Sequence, residues 1–255
     1  MTARARLLAP FATVLAVGLL ASCGGADDAP ESSSTTGATS SSSATSSRAE
    51  SSGESTAPPG PATQELTRQQ IVEALPRPDE APKDFVEDPR INSDRGSTRE
   101  TDPDRCRTLY LDSDEARAWK DEHLSETDGV RYTAPGDAAG RPSVSTFIAT
   151  YDEPVPRSFF DDAGAMLGDC SRFRERGTAD AAWIDKRAGS TSAPVVGQQT
   201  HALRVGLVDL DLTIDQMWIR SGHSIITISV LGGYAESSDE ILSDIADGVL
   251  EDLAG

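Results

Sequence analysis

Ser143 to Tyr151 alternates strictly, with Val144, Thr146, Ile148 and Thr150 on one side and Phe147, Ala149 and Tyr151 on the other. A period of two predicts a β-strand. Ser224 to Leu231 is a second such run, and Ser221-Gly222 ahead of it makes a tight turn. Leu203 to Val208 begins another strand that continues toward Ile219. Along it Leu210, Leu212, Ile214, Gln216 and Trp218 alternate with Asp209, Asp211, Thr213, Asp215 and Met217, the pattern of a strand buried on one face. Ala181 to Ile184 reads as one more short strand.

Elsewhere the period changes to three and four. Leu66 to Leu75 predicts a short helix with Leu66, Gln70, Ile71, Ala74 and Leu75 near one face, stopped by Pro76 and Pro78. Residues 76–104, rich in Pro, Asp and Arg, predict a long surface arm anchored by Phe85, Val86 and Ile91. Asp112 or Ser113 caps a helix running through Ala116, Trp119 and Leu124. Pro154 and Pro156 introduce another, whose apolar stripe of Phe159, Phe160, Ala163, Met166 and Leu167 includes Cys170. Ser237 precedes Glu240 by three residues, a capping box, and Ile241, Ile245, Val249 and Leu253 form the stripe of a last helix. Strands and helices in this order predict an α+β fold over residues 64–255, an antiparallel sheet covered by helices in a single domain.

The other apolar run lies at the N-terminus. Leu7 to Ala21 follows Arg4 and Arg6. It falls short of the roughly 20 residues a membrane span needs, and it has the length and flank of a secretory signal. It ends in Leu20-Ala21-Ser22-Cys23, which resembles the lipobox of bacterial lipoproteins. That resemblance implies a signal peptide over residues 1–22, cleavage before Cys23, and a diacylglycerol thioether on the Cys23 sulfur. Two or more acyl chains anchor stably where one is marginal. The expected location is therefore the outer face of the cytoplasmic membrane, anchored without spanning it.

Residues 23–63 hold almost no large apolar side chain, and 17 of the 25 positions from Ser32 to Thr56 are Ser or Thr. Such a stretch cannot bury enough surface to offset its ordering entropy, so a disordered tether is expected. A flexible chain of about 40 residues has a root-mean-square reach of roughly 35 Å. The tether is a spacer, a glycosylated stalk, or both.

Charge narrows the partners. The chain carries 42 acidic and 23 basic residues, net −19, and loss of Arg4 and Arg6 with residues 1–22 makes it −21. Nucleic acid is excluded, because phosphate binding needs a basic face. The expected partners are the membrane, through the anchor, and a cell-wall fragment, small molecule or envelope protein; the domain is expected to be a monomer without a cofactor. Scarce lysine (Lys83, Lys120, Lys186) beside abundant arginine, alanine and aspartate has the bias of a GC-rich genome, such as an actinobacterium's.

With Cys23 assigned to lipid, Cys106 and Cys170 remain. In an oxidising exterior such a pair makes one disulfide, closing a loop of about 65 residues for roughly 4 kcal/mol in the chain-entropy model. Two free thiols are the alternative. Neither cysteine has metal-ligand spacing.

No catalytic constellation stands out. Asp209, Asp211 and Asp215 share one strand face, but residues two apart on a strand lie nearly 7 Å apart. A solvated polar face is the simpler reading. His123, His201 and His223 are scattered without a second histidine at ligand spacing. Gly-Asp-Cys-Ser at 168–171 lacks the nucleophile-elbow pattern, and no glycine loop cradles phosphate. Trp119, Trp183, Trp218 and the four tyrosines line a groove or fill the core. The arginines of the 76–107 arm suit an anionic ligand but are interleaved with acids.

The Cys106-containing start, the Val144–Tyr151 strand, the Phe159-Phe160 helix ending in Cys170 and the C-terminal hairpin plus helix resemble, over residues 66–254, the extracellular sensor domain of actinobacterial PknH-type protein kinases and related lipoproteins. The resemblance implies an α+β domain that binds an extracytoplasmic ligand in a cleft and catalyses nothing. That family carries two disulfides; this chain can form one, and no ligand residue is carried over. An envelope hydrolase with a dispersed site and a structural or assembly lipoprotein are the alternatives. Cys23→Ala should release unacylated protein or leave uncleaved precursor; unchanged mass and detergent-phase partitioning would rule out the anchor.

Overall fold

A computed structural model describes residues 64–89, 99–136, 141–208, 210, 212–232 and 238–254. The signal peptide, Cys23, the tether and the Ser237 cap lie outside the described residues. Among those described, the chain forms β1 (Val86–Glu87), β2 (Glu100–Asp102), β3 (Leu124–Thr133), β4 (Ser143–Tyr151), β5 (Arg172–Arg176), β6 (Ile184–Ser190), β7 (Gln199–Leu207), β8 (Leu212–Ser221) and β9 (Ser224–Leu231). These make one antiparallel sheet of nine strands in the order β1-β3-β4-β9-β8-β7-β6-β5-β2. The helices are α1 (Arg68–Ala74), a 3-10 helix (Asp104–Tyr110), α2 (Asp114–His123), α3 (Arg157–Met166) and α4 (Ser238–Ala254). The α+β expectation holds.

The sheet is packed on both faces. On one, Val144, Ile148, Met217, Ile219, Ile226, Ile228 and Val230 meet Ile71 and Ala74 of α1 and the Leu242, Ile245, Ala246, Val249, Leu253 stripe of α4. On the other, Tyr151, Leu203, Val205, Trp218 and Ile225 meet Leu109 and Tyr110 of the 3-10 helix, Ala116 of α2, and Phe159, Phe160 and Ala163 of α3. Each large apolar side chain so buried contributes about 1.5–3 kcal/mol.

Five expectations need correction. Residues 203–219 are not one strand: β7 and β8 form a hairpin, with Leu203 opposite Gln216 and Leu207 opposite Leu212. The turn was hidden because Val208-Asp-Leu-Asp continues the alternation without Gly or Pro. β8 is not buried on one face only. Its deepest side chains, Met217 and Ile219, share the α4 side with Asp215, which is 1% exposed. Asp215 survives there because Arg204 forks onto it at 2.6 and 2.9 Å, and a buried charge needs such a partner.

The helix expected through Leu124 stops at His123, and Leu124 opens β3 instead. Ser113 caps its start, accepting from the Ala116 N–H at 3.2 Å. The surface arm carries both edges of the sheet: Val86 pairs with Thr133 at one edge and Glu100 with Arg176 at the other. The strand expected at Ala181–Ile184 is displaced to Ile184–Ser190.

Cys106 and Cys170 are bonded, with Cα atoms 5.6 Å apart and a sequence separation of 64. Cys170 lies in the turn after α3, its N–H bonded to the Met166 carbonyl at 3.0 Å. Both cysteines are fully buried and tie the 3-10 helix to the end of α3. Replacing both with serine should lower unfolding stability by about 4 kcal/mol in a denaturant titration, with the folded spectrum retained. A loss under about 1 kcal/mol would show that the loop closure contributes little.

Candidate functional site

On the face covered by the 3-10 helix, α2 and α3, the cover is incomplete. α2 shields Tyr151 but stops short of Phe147 and Thr227, leaving a cleft of about 470 Å³ between helix and sheet. That volume lies in the usual small-molecule range of about 300–1,000 Å³. The floor is built by strand register. Phe147 on β4 stands opposite Thr227 on β9, which stands opposite Trp218 on β8. Ala149, Thr127 and Gln216 extend the same surface.

Gly129 makes the Phe147 position feasible. It faces Phe147 across β3 and β4. A Cβ built on Gly129 would come within 2.4 Å of Phe147 Cδ1 and 2.7 Å of the Thr146 carbonyl oxygen. Only glycine leaves room for the ring there.

The walls are charged. Ser113 starts α2 so that Arg117 and Lys120 fall one turn apart on its cleft side. Asp112, just before the helix, accepts from Arg117 Nε at 3.2 Å and Nη2 at 2.6 Å. Lys120 Nζ lies 3.9 Å from Asp112 Oδ1. Burial pushes the Lys120 ammonium pKa down, against the pull of Asp112. Across the cleft, the Arg99 guanidinium stacks 3.9 Å above the Tyr110 ring and lies 3.6 Å from Glu175. The Tyr110 hydroxyl donates to Glu175 at 2.7 Å. Burial, reinforced by Glu175, pushes the Tyr110 pKa well up, and burial raises Tyr151 as well.

Beneath the floor, Trp218 stacks on His201 with centroids 5.5 Å apart. His201 Nε2 is 3.0 Å from the Leu109 carbonyl. A carbonyl only accepts, so Nε2 carries the proton. Burial lowers the His201 pKa and holds the ring neutral. Tyr110 packs edge-on against both Trp218 and Phe173. The site thus rests on an aromatic stack that joins the sheet to the 3-10 helix.

Of the sequence-derived candidates, Trp218, Tyr110, Tyr151 and Arg99 of the arm do line the cleft. Trp119 packs behind it on Tyr151, and Trp183 lies on the surface beside Arg174 and Arg176. Lys120, Arg117, Phe147 and Thr227 were missed. The helical spacing of Arg117 and Lys120 was legible, but which face of α2 met the sheet was not. His123 bonds Asp152 at 2.8 Å, but neither residue lines the cleft. Asp215 is committed to Arg204, while Asp209 and Asp211 lie outside the described residues. Among the described residues no cluster of three metal-ligating side chains occurs. The Cys106–Cys170 bond braces the 3-10 helix that carries Tyr110.

No family model and no curated protein matches the chain. Solved structures do. The extracellular domain of PknH from Mycobacterium tuberculosis aligns with a TM-score of 0.56 at 13% identity, covering 74% of this chain and 98% of that one. The two share a fold. A protein from Mycobacterium smegmatis, an Rv0999 ortholog, aligns with a TM-score of 0.35 at 10% identity, over 71% of this chain and 95% of that one.

His201 gives the site a pH signature. Its native pKa is below the ordinary 6.5. Below pH 6.5 the unfolded chain therefore takes up a proton that the native chain resists. Its contribution is complete above that pH and is lost as pH falls toward the native value. Melting temperatures measured by calorimetry should fall less steeply below pH 6.5 in His201→Gln than in wild type. Equal slopes would show that His201 is not held neutral.

Proposed function

We propose that this chain is a lipid-anchored extracytoplasmic binding domain of the sensor type, without catalytic activity, whose ligand occupies the cleft over Phe147, Thr227 and Trp218. The observation that carries the reading is the cleft itself. It has the volume of a small-molecule site, a preformed apolar floor, and a few polar groups converging from the walls. The fold shared with the PknH extracellular domain and a buried disulfide support an extracytoplasmic setting. The Leu-Ala-Ser-Cys sequence at 20–23 supports the anchor.

The chemistry of the walls agrees with binding rather than turnover. Arg117 is gripped by Asp112, and Glu175 is occupied by Tyr110 and by Lys186 at 3.3 Å. The raised tyrosine and lowered lysine pKa values follow first from burial, and the carboxylates nearest them, Glu175 and Asp112, are already engaged by Lys186 and Arg117. The ligand class is a cell-wall fragment or another extracytoplasmic small molecule.

A thermal-shift screen of cell-wall fragments and small envelope metabolites tests this. A ligand present at a hundred times its Kd should stabilise the native state by about 2.7 kcal/mol. Thr227→Trp fills the floor and should abolish the shift. A broad screen without a hit, or a shift that survives Thr227→Trp, counts against the cleft.

A further inference from the structure

The overall charge of this protein repels anions, yet its cleft gathers cations. Arg117 and Lys120 come from α2 and Arg99 from the arm, against Asp112 and Asp121 in the same lining. Their partners are unequally shared. Asp112 accepts from Arg117 Nε and Nη2, and Glu175 serves Arg99 along with Tyr110 and Lys186. Among the described residues, the ion-pair partner of Lys120 is Asp112 Oδ1 at 3.9 Å, beyond hydrogen-bond length, and that atom already accepts from Arg117 Nε. An ammonium has three donors to satisfy, and with the side chain 26% exposed they face the solvent of the cleft. Here it sits beside a floor of Phe147, Ala149 and Trp218 with no charge on it.

We infer that the cleft takes an amphipathic anion, with its acidic group seated on Lys120 and a flat apolar body lying on Phe147 and Trp218. This rests on the cleft being the binding site and names the class of its ligand. The anion supplies the acceptors that Asp112 does not, and Arg117 and Arg99 flank it. The floor prefers a ring or planar chain, because Phe147 and Trp218 present aromatic surface. The groups around the ammonium are Asp112, Arg117 and Asp121 from its own helix and its start, Arg99 from the arm, and Tyr151 from β4. The carboxylates favour the ammonium and the guanidinium groups oppose it. An arriving anion favours the charged form, so binding in alkaline buffer is accompanied by proton uptake at Lys120.

The probes are 8-anilinonaphthalene-1-sulfonate and its neutral counterpart N-phenyl-1-naphthylamine, titrated by fluorescence into the full unacylated Cys23→Ala chain. Charged hydrogen bonds place the sulfonate at least about tenfold tighter than the neutral ring. Lys120→Gln should remove most of that preference and Lys120→Arg should keep it, while the neutral probe binds all three alike. Removing a poorly paired, partly exposed cation should leave the melting temperature of Lys120→Gln unchanged or higher, which separates loss of binding from loss of fold. Thr227→Trp should block both probes. Equal affinity for the two probes, indifference to Lys120→Gln, or no binding of the sulfonate overturns the anion assignment. In the first two cases a block by Thr227→Trp leaves the cleft standing as the site. If Thr227→Trp blocks neither probe, the cleft reading fails as well.

Discussion

The constraint on which this structure depends is that the central strands are apolar on both faces. β8, the fifth of nine strands, sends Met217 and Ile219 to one side and Trp218 to the other. A sheet of this kind must be covered twice. α4 and α1 cover one side, and the 3-10 helix, α2 and α3 cover the second. α1 is only seven residues long and would not persist alone. It holds because Thr67 and Gln70 cap it reciprocally and Ile71 is fully buried. On the second side the cover is pinned by the Cys106–Cys170 bond and by the Tyr110–Trp218–His201 stack. The cleft is the part of the second side that these elements leave open.

Where periodicity was unbroken, the elements could be read from the chain. β4, β9 and α4 follow from alternation or from a three-to-four stripe, and α1 from its apolar face and the prolines behind it. Where a local signal was missing, the reading slipped. The β7–β8 turn has neither Gly nor Pro. β3 contains Ser125-Glu-Thr-Asp-Gly129, a composition poor in strand formers, and is held as a strand by its long pairing with β4. β1 and β2 are two and three residues long and exist only because an edge was there to pair with.

The site was less legible than the fold. Its aromatic members were named as groove or core, and both proved true: Trp218 is buried against His201 and yet lines the cleft. Its cations were not singled out, since their meaning comes from the distribution of carboxylates in space. Arg117 and Lys120 are neighbours on one helix, but Asp112 bonds one and leaves the other short. Gly129 was equally silent in sequence, and its role is to yield space to Phe147. Conversely, Asp215 was counted with a solvated face and lies in the core, because Arg204 on the adjacent strand satisfies it.

The two coverings also divide the molecule by direction. α1 and α4 are the first and last helices among the described residues, and both pack on the same face of the sheet. The cleft opens on the opposite face. A ligand entering the cleft therefore meets α2, the 3-10 helix and the strands without disturbing the packing of α1 or α4.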